Sequence, residues 1–271
     1  MPLLEILQSN PDAVSRFTIE QVMATAGDGN LSDYSECSWE LREYLSRVPS
    51  AVLNAHISHC LTRSFDNSGL VLQDLVNELG RRLDCRVENG LYRGRQDAIG
   101  FDGLWQSPEG HSLVVEVKTS DTFRISLDVI AGYRNALVRQ DRIAERATIL
   151  IVVGRQETGE VEDQIRGSRH AWDARLISTE ALADLVAIKE NLDCKDAASR
   201  IRGLLEPFDY IRLDGIIDAV ALTTGRAAFK SAAPLSGEDG RRAAIRQMRR
   251  RIAQVISRRE RREKRMKWAS N

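Results

Sequence analysis

The spacing of apolar residues predicts helices in the first quarter of the chain. Apolar positions recur with helical spacing in residues 18–26 and 38–48, and the apolar stretch 51–61, which follows Pro49, also suits a helix. Ser38 is the predicted N-cap of the second helix, because a serine hydroxyl accepts a hydrogen bond from a free backbone N–H of the first turn. Residues 1–66 are therefore predicted to form an N-terminal helical extension.

Residues 67–190 alternate between helical and strand patterns. The first helix is predicted at 69–83, where apolar residues form one stripe that Glu78 flanks and Asp74 opposes. The stripe consists of Leu72, Leu75, Val76, Leu79 and Leu83. The later elements are, in order, strands at 85–88, 92–105 and 113–118, a helix at 126–146, a strand at 147–153, a helix at 160–169, a strand at 175–177 and a helix at 180–189. The order α-β-β-β-α-β, then α-β-α, predicts an α/β fold with a mixed sheet flanked by helices.

The C-terminal part of the chain is predicted to be helical on both sides of a linker. Residues 191–232 form the predicted C-terminal helical extension, and the Pro, Gly and Ser content of 233–240 marks a linker. An amphipathic helix is predicted at 241–256, with an apolar seam formed by Ile245, Met248, Ile252 and Val255. We expect this seam to dock on the body of the protein, on a second copy of the chain in a homo-oligomer, or on a protein partner.

The charge of the chain is divided unevenly. Lys and Arg number 39, as do Asp and Glu, yet residues 241–267 contain 13 basic and two acidic residues, so this tail is +11 and the remainder is −11. Such a tail indicates a polyanion partner, or a tail that folds back onto the acidic body. Phosphate contacts are predicted for Arg249, Arg250, Arg258, Arg259 and Arg262. A solvated charged helix is the alternative interpretation of the same residues.

Composition indicates an intracellular location. The four cysteines are far apart in the sequence, without the C-x-x-C pairs of a redox or zinc site. No apolar run approaches the length of a membrane span, and the first ten residues lack a signal-peptide pattern. We therefore expect a cytoplasmic protein that does not associate with a membrane.

The strand predicted at 113–118 carries charges that do not suit a buried strand. Side chains alternate across a strand, so Glu116 and Lys118 share one face, while Leu113, Val115 and Val117 share the other. Burying such charges is costly unless a counter-charge, a metal ion or water compensates them. A Glu–Lys ion pair within the sheet is the structural explanation, and a catalytic site is the functional one.

The residues Asp102, Glu116, Val117 and Lys118, set in the order α-β-β-β-α-β, resemble the PD-(D/E)xK nuclease superfamily, which has the restriction-endonuclease-like fold. Phe101 stands where many members have a proline. The resemblance implies an endonuclease that hydrolyses DNA with Mg²⁺, for which Mn²⁺ can substitute, and a setting in prokaryotic defence or restriction. RNA remains open as a substrate.

Each residue of the motif has an expected role. Asp102 and Glu116 supply the hard oxygen ligands that Mg²⁺ prefers, and the Val117 carbonyl adds another. Lys118 orients or deprotonates the attacking water and stabilises the developing charge. Family members often take a further acid from the first helix, and Glu78 is the match here. Asp97 is the rival to Asp102.

A second unusual stretch, residues 164–173, places basic residues and an aromatic residue just before a predicted strand. Arg166, Arg169 and His170 are predicted to contact nucleic acid. Trp172 is predicted to pack at the start of that strand. The alternative function for the whole chain is a nucleic-acid-binding or assembly subunit that keeps the nuclease fold without its chemistry and uses the basic tail.

Overall fold

The structure is a computed structural model of the chain, and it describes residues 2–93, 98–119, 125–154, 160–191, 195–206 and 213. The described helices are α1 (Pro2–Ser9), α2 (Pro11–Val14), α3 (Ile19–Thr25), α4 (Glu36–Arg47), α5 (Ser50–Thr62), α6 (Ser68–Arg82), α7 (Leu127–Arg139), α8 (Glu160–Arg166), α9 (Thr179–Asn191) and α10 (Lys195–Gly203). The described strands are β1 (Arg86–Asn89), β2 (Gly103–Gln106), β3 (Ser112–Lys118), β4 (Thr148–Val153) and β5 (Ala174–Ser178). The protein is therefore α/β, as predicted.

The five strands form one open, mixed sheet in the order β1-β2-β3-β4-β5. β1, β2 and β3 pair antiparallel, whereas β4 and β5 continue the sheet parallel to β3. Parallel neighbours require crossover connections, which the α7 and α8 segments provide. β4 is buried along its whole length, because helices cover both sides of the sheet at its centre.

Polar caps define several ends of the N-terminal helices. Thr18 and Gln21 form a capping box at the start of α3. The predicted cap at Ser38 is wrong by three residues: the Ser35 side chain accepts the hydrogen bond from the Ser38 backbone N–H, and α4 begins at Glu36. Ser38 itself lies within the first turn, where its hydroxyl donates to the Ser35 carbonyl.

The α7 helix is shorter than its sequence pattern predicts. It ends at Arg139 instead of 146, because Asp141 adopts a left-handed φ of 53°. The Arg142 N–H then donates to the Leu137 carbonyl, and the Asp141 N–H donates to the Val138 carbonyl. These two bonds satisfy the free carbonyls of the last turn in the pattern of a Schellman motif. The chain can therefore leave the helix and turn into β4.

The α6 helix is buried on all sides rather than along one stripe. Asp74, predicted to oppose the apolar stripe, is 1% exposed. The Arg42 guanidinium donates to its carboxylate at 2.9 Å and the Tyr92 hydroxyl donates to the same carboxylate. Because α4 supplies the arginine, the N-terminal helices cover the face of α6 that the sequence pattern assigns to solvent.

Residues after α9 remain attached to the sheet through Arg202. Its guanidinium pairs with Glu109, in the β2–β3 turn, and with Asp84, after α6. The predicted linker at 233–240 and the basic tail at 241–271, with the five arginines predicted to contact phosphate, lie outside the described residues. Among the residues that are described, the helices are too short or too polar to cross a membrane.

Candidate active site

The sheet brings Asp102 beside Glu116. Gly103 pairs with Val115 in the β2–β3 ladder, so Asp102 lies one residue beyond the last pair, near Glu116. The Asp102 N–H donates to the Val115 carbonyl at 3.1 Å, one residue out of step with that register, and this bond holds Asp102 against β3 where the regular ladder stops. Among the described residues of the strand predicted at 92–105, strand structure begins at Gly103, in β2 (Gly103–Gln106), with Asp102 immediately before it.

The Asp102 carboxylate is held against the backbone of β3. Its Oδ2 accepts a hydrogen bond of 2.7 Å from the Val117 N–H. Burial, and after it the nearby Glu116 charge, raise the pKa of Asp102 to about 7, while the Val117 N–H and Lys118 act in the opposite direction. Asp102 and Glu116 bring two carboxylates together, and Lys118 supplies a single positive charge beside them. The excess of negative charge favours the binding of a cation.

Lys118 lies against the second carboxylate. Its Nζ donates to Glu116 Oε1 at 2.7 Å, and the two side chains are 31% and 14% exposed. Burial by itself would lower the pKa of Lys118, but the hydrogen bond to Glu116 and the charges of Glu116 and Asp102 raise it above its ordinary value. Lys118 therefore carries its charge in this arrangement.

The oxygen atoms at this end of β3 suit a divalent cation. Val115 and Val117 are two residues apart, and alternate carbonyls of a strand point to the same side. Because the Val115 carbonyl accepts from Asp102, the Val117 carbonyl is directed toward the side of β3 where Asp102 lies. Two carboxylates and a carbonyl are hard ligands of the kind Mg²⁺ takes, with water or substrate completing its coordination.

This donor set is smaller than a closed metal site. Within the described ranges, no group of three or more His, Cys, Asp or Glu side chains has the arrangement of a metal-binding cluster. The site formed by Asp102 and Glu116 has two acidic side chains, so it fits a hard cation that keeps several water ligands. It differs from the tetrahedral Cys and His ligand sets that are typical of zinc sites.

Glu78 is not brought to this group. Its carboxylate pairs with Arg82 at 3.2 Å and with Arg81 at 3.4 Å, toward the C-terminal end of α6. Arg82 also donates to the carbonyls of Leu45 and Val48, so Glu78 and Arg82 connect α6 to the end of α4. No contact between Glu78 and Asp102 or Glu116 is found in the described part of the chain. Its predicted role as the acid of the first helix lacks support in the geometry.

Two other side chains of α6 reach the site instead. Gln73 Nε2 and Asn77 Nδ2 donate to the Asp102 carbonyl at 3.0 and 2.9 Å. Sequence reasoning missed both, although they stand one helical turn apart and interrupt an apolar helix. Tyr133 of α7 is also near, because a Cβ added to Gly100 would lie 3.1 Å from its hydroxyl.

The basic residues predicted to contact nucleic acid are partly neutralised by carboxylates. Arg166 pairs with Glu162 within α8, while Arg169 and His170 contact Asp128 at 2.7 and 2.8 Å. Arg169 and His170 line an open cavity of about 620 Å³ at the start of α7. The contact prediction for these residues, and for the tail arginines, stays a prediction. The rival acid Asp97 lies outside the described residues.

Trp172 does not pack at the strand start. Its side chain is 72% exposed, although it lies two residues before β5. The first residue of β5, Ala174, is already buried, so the core at this point is complete without the indole. The predicted packing role is therefore wrong, and the ring is a free aromatic surface within three residues of Arg169.

No protein-family model matches the chain, and no curated protein matches its sequence. The assignment of a function to Asp102, Glu116 and Lys118 therefore rests on their geometry and chemistry.

Proposed function

We propose that this protein is a Mg²⁺-dependent nuclease of the PD-(D/E)xK type that hydrolyses phosphodiester bonds of DNA. The observation that carries the proposal is the convergence of Asp102 and Glu116 at neighbouring strand positions, with Lys118 bonded to Glu116 at 2.7 Å. A carboxylate pair beside a charged lysine, at the open end of a sheet, has the composition that phosphodiester hydrolysis requires.

The three side chains divide the chemistry between them. Asp102 and Glu116 would hold the cation, with the Val117 carbonyl as a third oxygen. When bound, Mg²⁺ supplies charge neutralisation at the phosphate and a more acidic water. The Lys118 ammonium orients the attacking water and stabilises the negative charge that develops on the phosphate oxygens. Its exposure of 31% leaves room for substrate.

The fold order supports the same assignment. An antiparallel β1-β2-β3 meander followed by a parallel β4, with α6 before it and α7 between β3 and β4, matches the α-β-β-β-α-β order of the restriction-endonuclease-like fold. Other α/β proteins share this mixed sheet, so the acidic pair and the lysine, rather than the sheet, decide the proposed chemistry.

The test is incubation of the purified full chain with supercoiled plasmid, single-stranded DNA and RNA, in Mg²⁺, in Mn²⁺ and in EDTA. We expect divalent-dependent cutting of DNA by the natural chain and a loss of at least 100-fold in Glu116→Gln and Lys118→Met, since each removes a group that acts in the transition state. Glu88→Gln is the matched control, because Glu88 is an exposed strand acid paired with Arg142.

Two outcomes would overturn the proposal. One is a natural chain that cuts none of the three substrates in either metal. The other is cutting that survives both Glu116→Gln and Lys118→Met. Salt-dependent DNA binding without any divalent dependence would instead indicate the binding or assembly subunit, with the basic tail as its contact region.

A further inference from the structure

Three hydrogen-bond donors converge on the backbone carbonyl of Asp102. The Gly90 N–H, Gln73 Nε2 and Asn77 Nδ2 donate to this oxygen at 3.0, 3.0 and 2.9 Å. A strand carbonyl ordinarily has one ladder partner. This convergence occurs at Asp102, whose carboxylate lies near Glu116, and two of the three donors come from side chains of α6.

The two amides add to the sheet ladder at this point. The Gly90 N–H bond continues the β1–β2 pairing one residue beyond Asn89 and Gly103, so α6 supplies two donors besides the ladder bond. Gln73 and Asn77 are four residues apart, which places them on one face of α6. Gln73 is 4% exposed and Asn77 is fully buried, so water does not compete for their donors.

The direction of the Asn77 amide is determined by a second partner. Trp105 Nε1–H donates to Asn77 Oδ1 at 2.8 Å. Because the amide oxygen accepts from the indole N–H, the NH₂ group must point toward Asp102. The absence of a side chain at Gly103 lets Asn77 approach, because an added Cβ there would overlap Asn77 Oδ1.

Fixing the Asp102 carbonyl also fixes its carboxylate. With the N–H bonded to Val115 and the carbonyl held by α6, the peptide units on both sides of Asp102 are immobilised. The Oδ2 atom is then presented to the Val117 N–H at 2.7 Å, beside Glu116. A donor lost from α6 would loosen this presentation without altering the charge of any acidic group.

We propose that Gln73 and Asn77 are positioning residues, which act through the Asp102 carbonyl to hold the Asp102 carboxylate in place beside Glu116. The consequence for catalysis rests on the proposed nuclease function. The consequence for the geometry of Asp102 does not, because it concerns only hydrogen bonds within the protein.

The experiment compares Gln73→Met and Asn77→Leu with Val76→Ala in the full chain. Gln73→Met replaces glutamine with an unbranched side chain of similar length, and Trp105 keeps its hydrogen bond to Asn77. This variant should therefore disturb the fold less than Asn77→Leu. Val76 is fully buried on the same helix and is absent from the described contacts to Asp102, so its truncation reports a general loss of stability.

The first readout is hydrogen exchange of the Val117 amide relative to the other β3 amides, measured by NMR. The second is Mn²⁺ affinity, together with kcat and KM for DNA.

We expect Val117 exchange to accelerate about tenfold relative to the other β3 amides in Gln73→Met and Asn77→Leu, and to stay in step with them in Val76→Ala. Mn²⁺ affinity and kcat should fall about tenfold in the first two variants, with KM changed less than twofold. Unchanged relative Val117 exchange in Gln73→Met would overturn the proposal. Selective acceleration of Val117 exchange in Gln73→Met, combined with a natural chain that neither binds Mn²⁺ nor cuts, would support the positioning role while refuting the nuclease.

Discussion

The substitution Asp102→Asn should stabilise the metal-free protein while removing its activity. Asparagine keeps an oxygen that accepts from the Val117 N–H but carries no charge beside Glu116. In the natural chain, burial and the Glu116 charge raise the pKa of Asp102 from 3.8 to about 7. The folded state therefore binds a proton that the unfolded state has released, and stability falls as the pH rises from about 4 to about 7.

The size of this effect follows from the same shift. One pKa unit corresponds to about 1.4 kcal/mol, so a shift of roughly three units gives an upper value of about 4 kcal/mol above pH 7. Asp102 is only partly buried, and solvent screening reduces the value. We expect Asp102→Asn to raise the free energy of unfolding by about 2–4 kcal/mol at pH 8 and to leave it almost unchanged at pH 4.

Urea denaturation in EDTA at pH 4 and pH 8 measures the difference. Asp66→Asn is the control, since Asp66 is an exposed carboxylate whose neutralisation should change stability by less than about 0.5 kcal/mol. Added Mg²⁺ should then stabilise the natural chain, by about 2.7 kcal/mol at 100 times its Kd, and stabilise Asp102→Asn much less. Equal stability of the natural chain and Asp102→Asn at pH 8 would show that the two carboxylates do not repel, and the reasoning would fail.

Three further predictions address the helices and the tail. Burial, aided by His59, lowers the pKa of His56 to about 4, so the folded state binds a proton less readily than the unfolded state. About 3 kcal/mol of stability should therefore be lost as the pH falls from about 6.5 to 4. His56→Gln should remove this pH dependence, measured by urea titrations. Gly80→Ala should lower the thermal midpoint, because the added Cβ would lie 2.6 Å from the Trp105 ring, and overpacking costs about 1–3 kcal/mol. Deletion of residues 241–271 should weaken DNA binding and flatten its salt dependence in fluorescence titrations, while a tail-independent salt slope would place the contacts on the body.

Local hydrophobic patterning was sufficient for the order of elements in residues 67–190 and for the charged face of β3. The strand at β3 and its Glu116–Lys118 face follow from alternation, and the turn before it follows from its Pro and Gly residues. The start of α3 is equally local, because Thr18 and Gln21 cap it through their own neighbours. These features depend on residues a few positions apart, so the sequence contains their determinants directly.

Other features depend on which distant segment covers a residue. The sequence pattern places Asp74 on a solvent face, but α4 brings Arg42 to it and the N-terminal helices enclose α6. Glu78 is a suitable acid by helical position, yet Arg81 and Arg82 neutralise it away from Asp102. Neither pairing leaves a periodic signal, because the choice of partner depends on helix packing.

The sequence by itself determined that this chain is α/β and that Glu116 and Lys118 share one face of a strand that follows Asp102, since strand periodicity and turn chemistry are encoded locally. Only the tertiary structure decided what surrounds them. It began β2 at Gly103, placed Asp102 beside Glu116, and turned Gln73 and Asn77 toward the Asp102 carbonyl. The physical reason is that a buried carbonyl and a buried carboxylate must find partners wherever packing supplies them, and packing joins residues that are far apart in the chain.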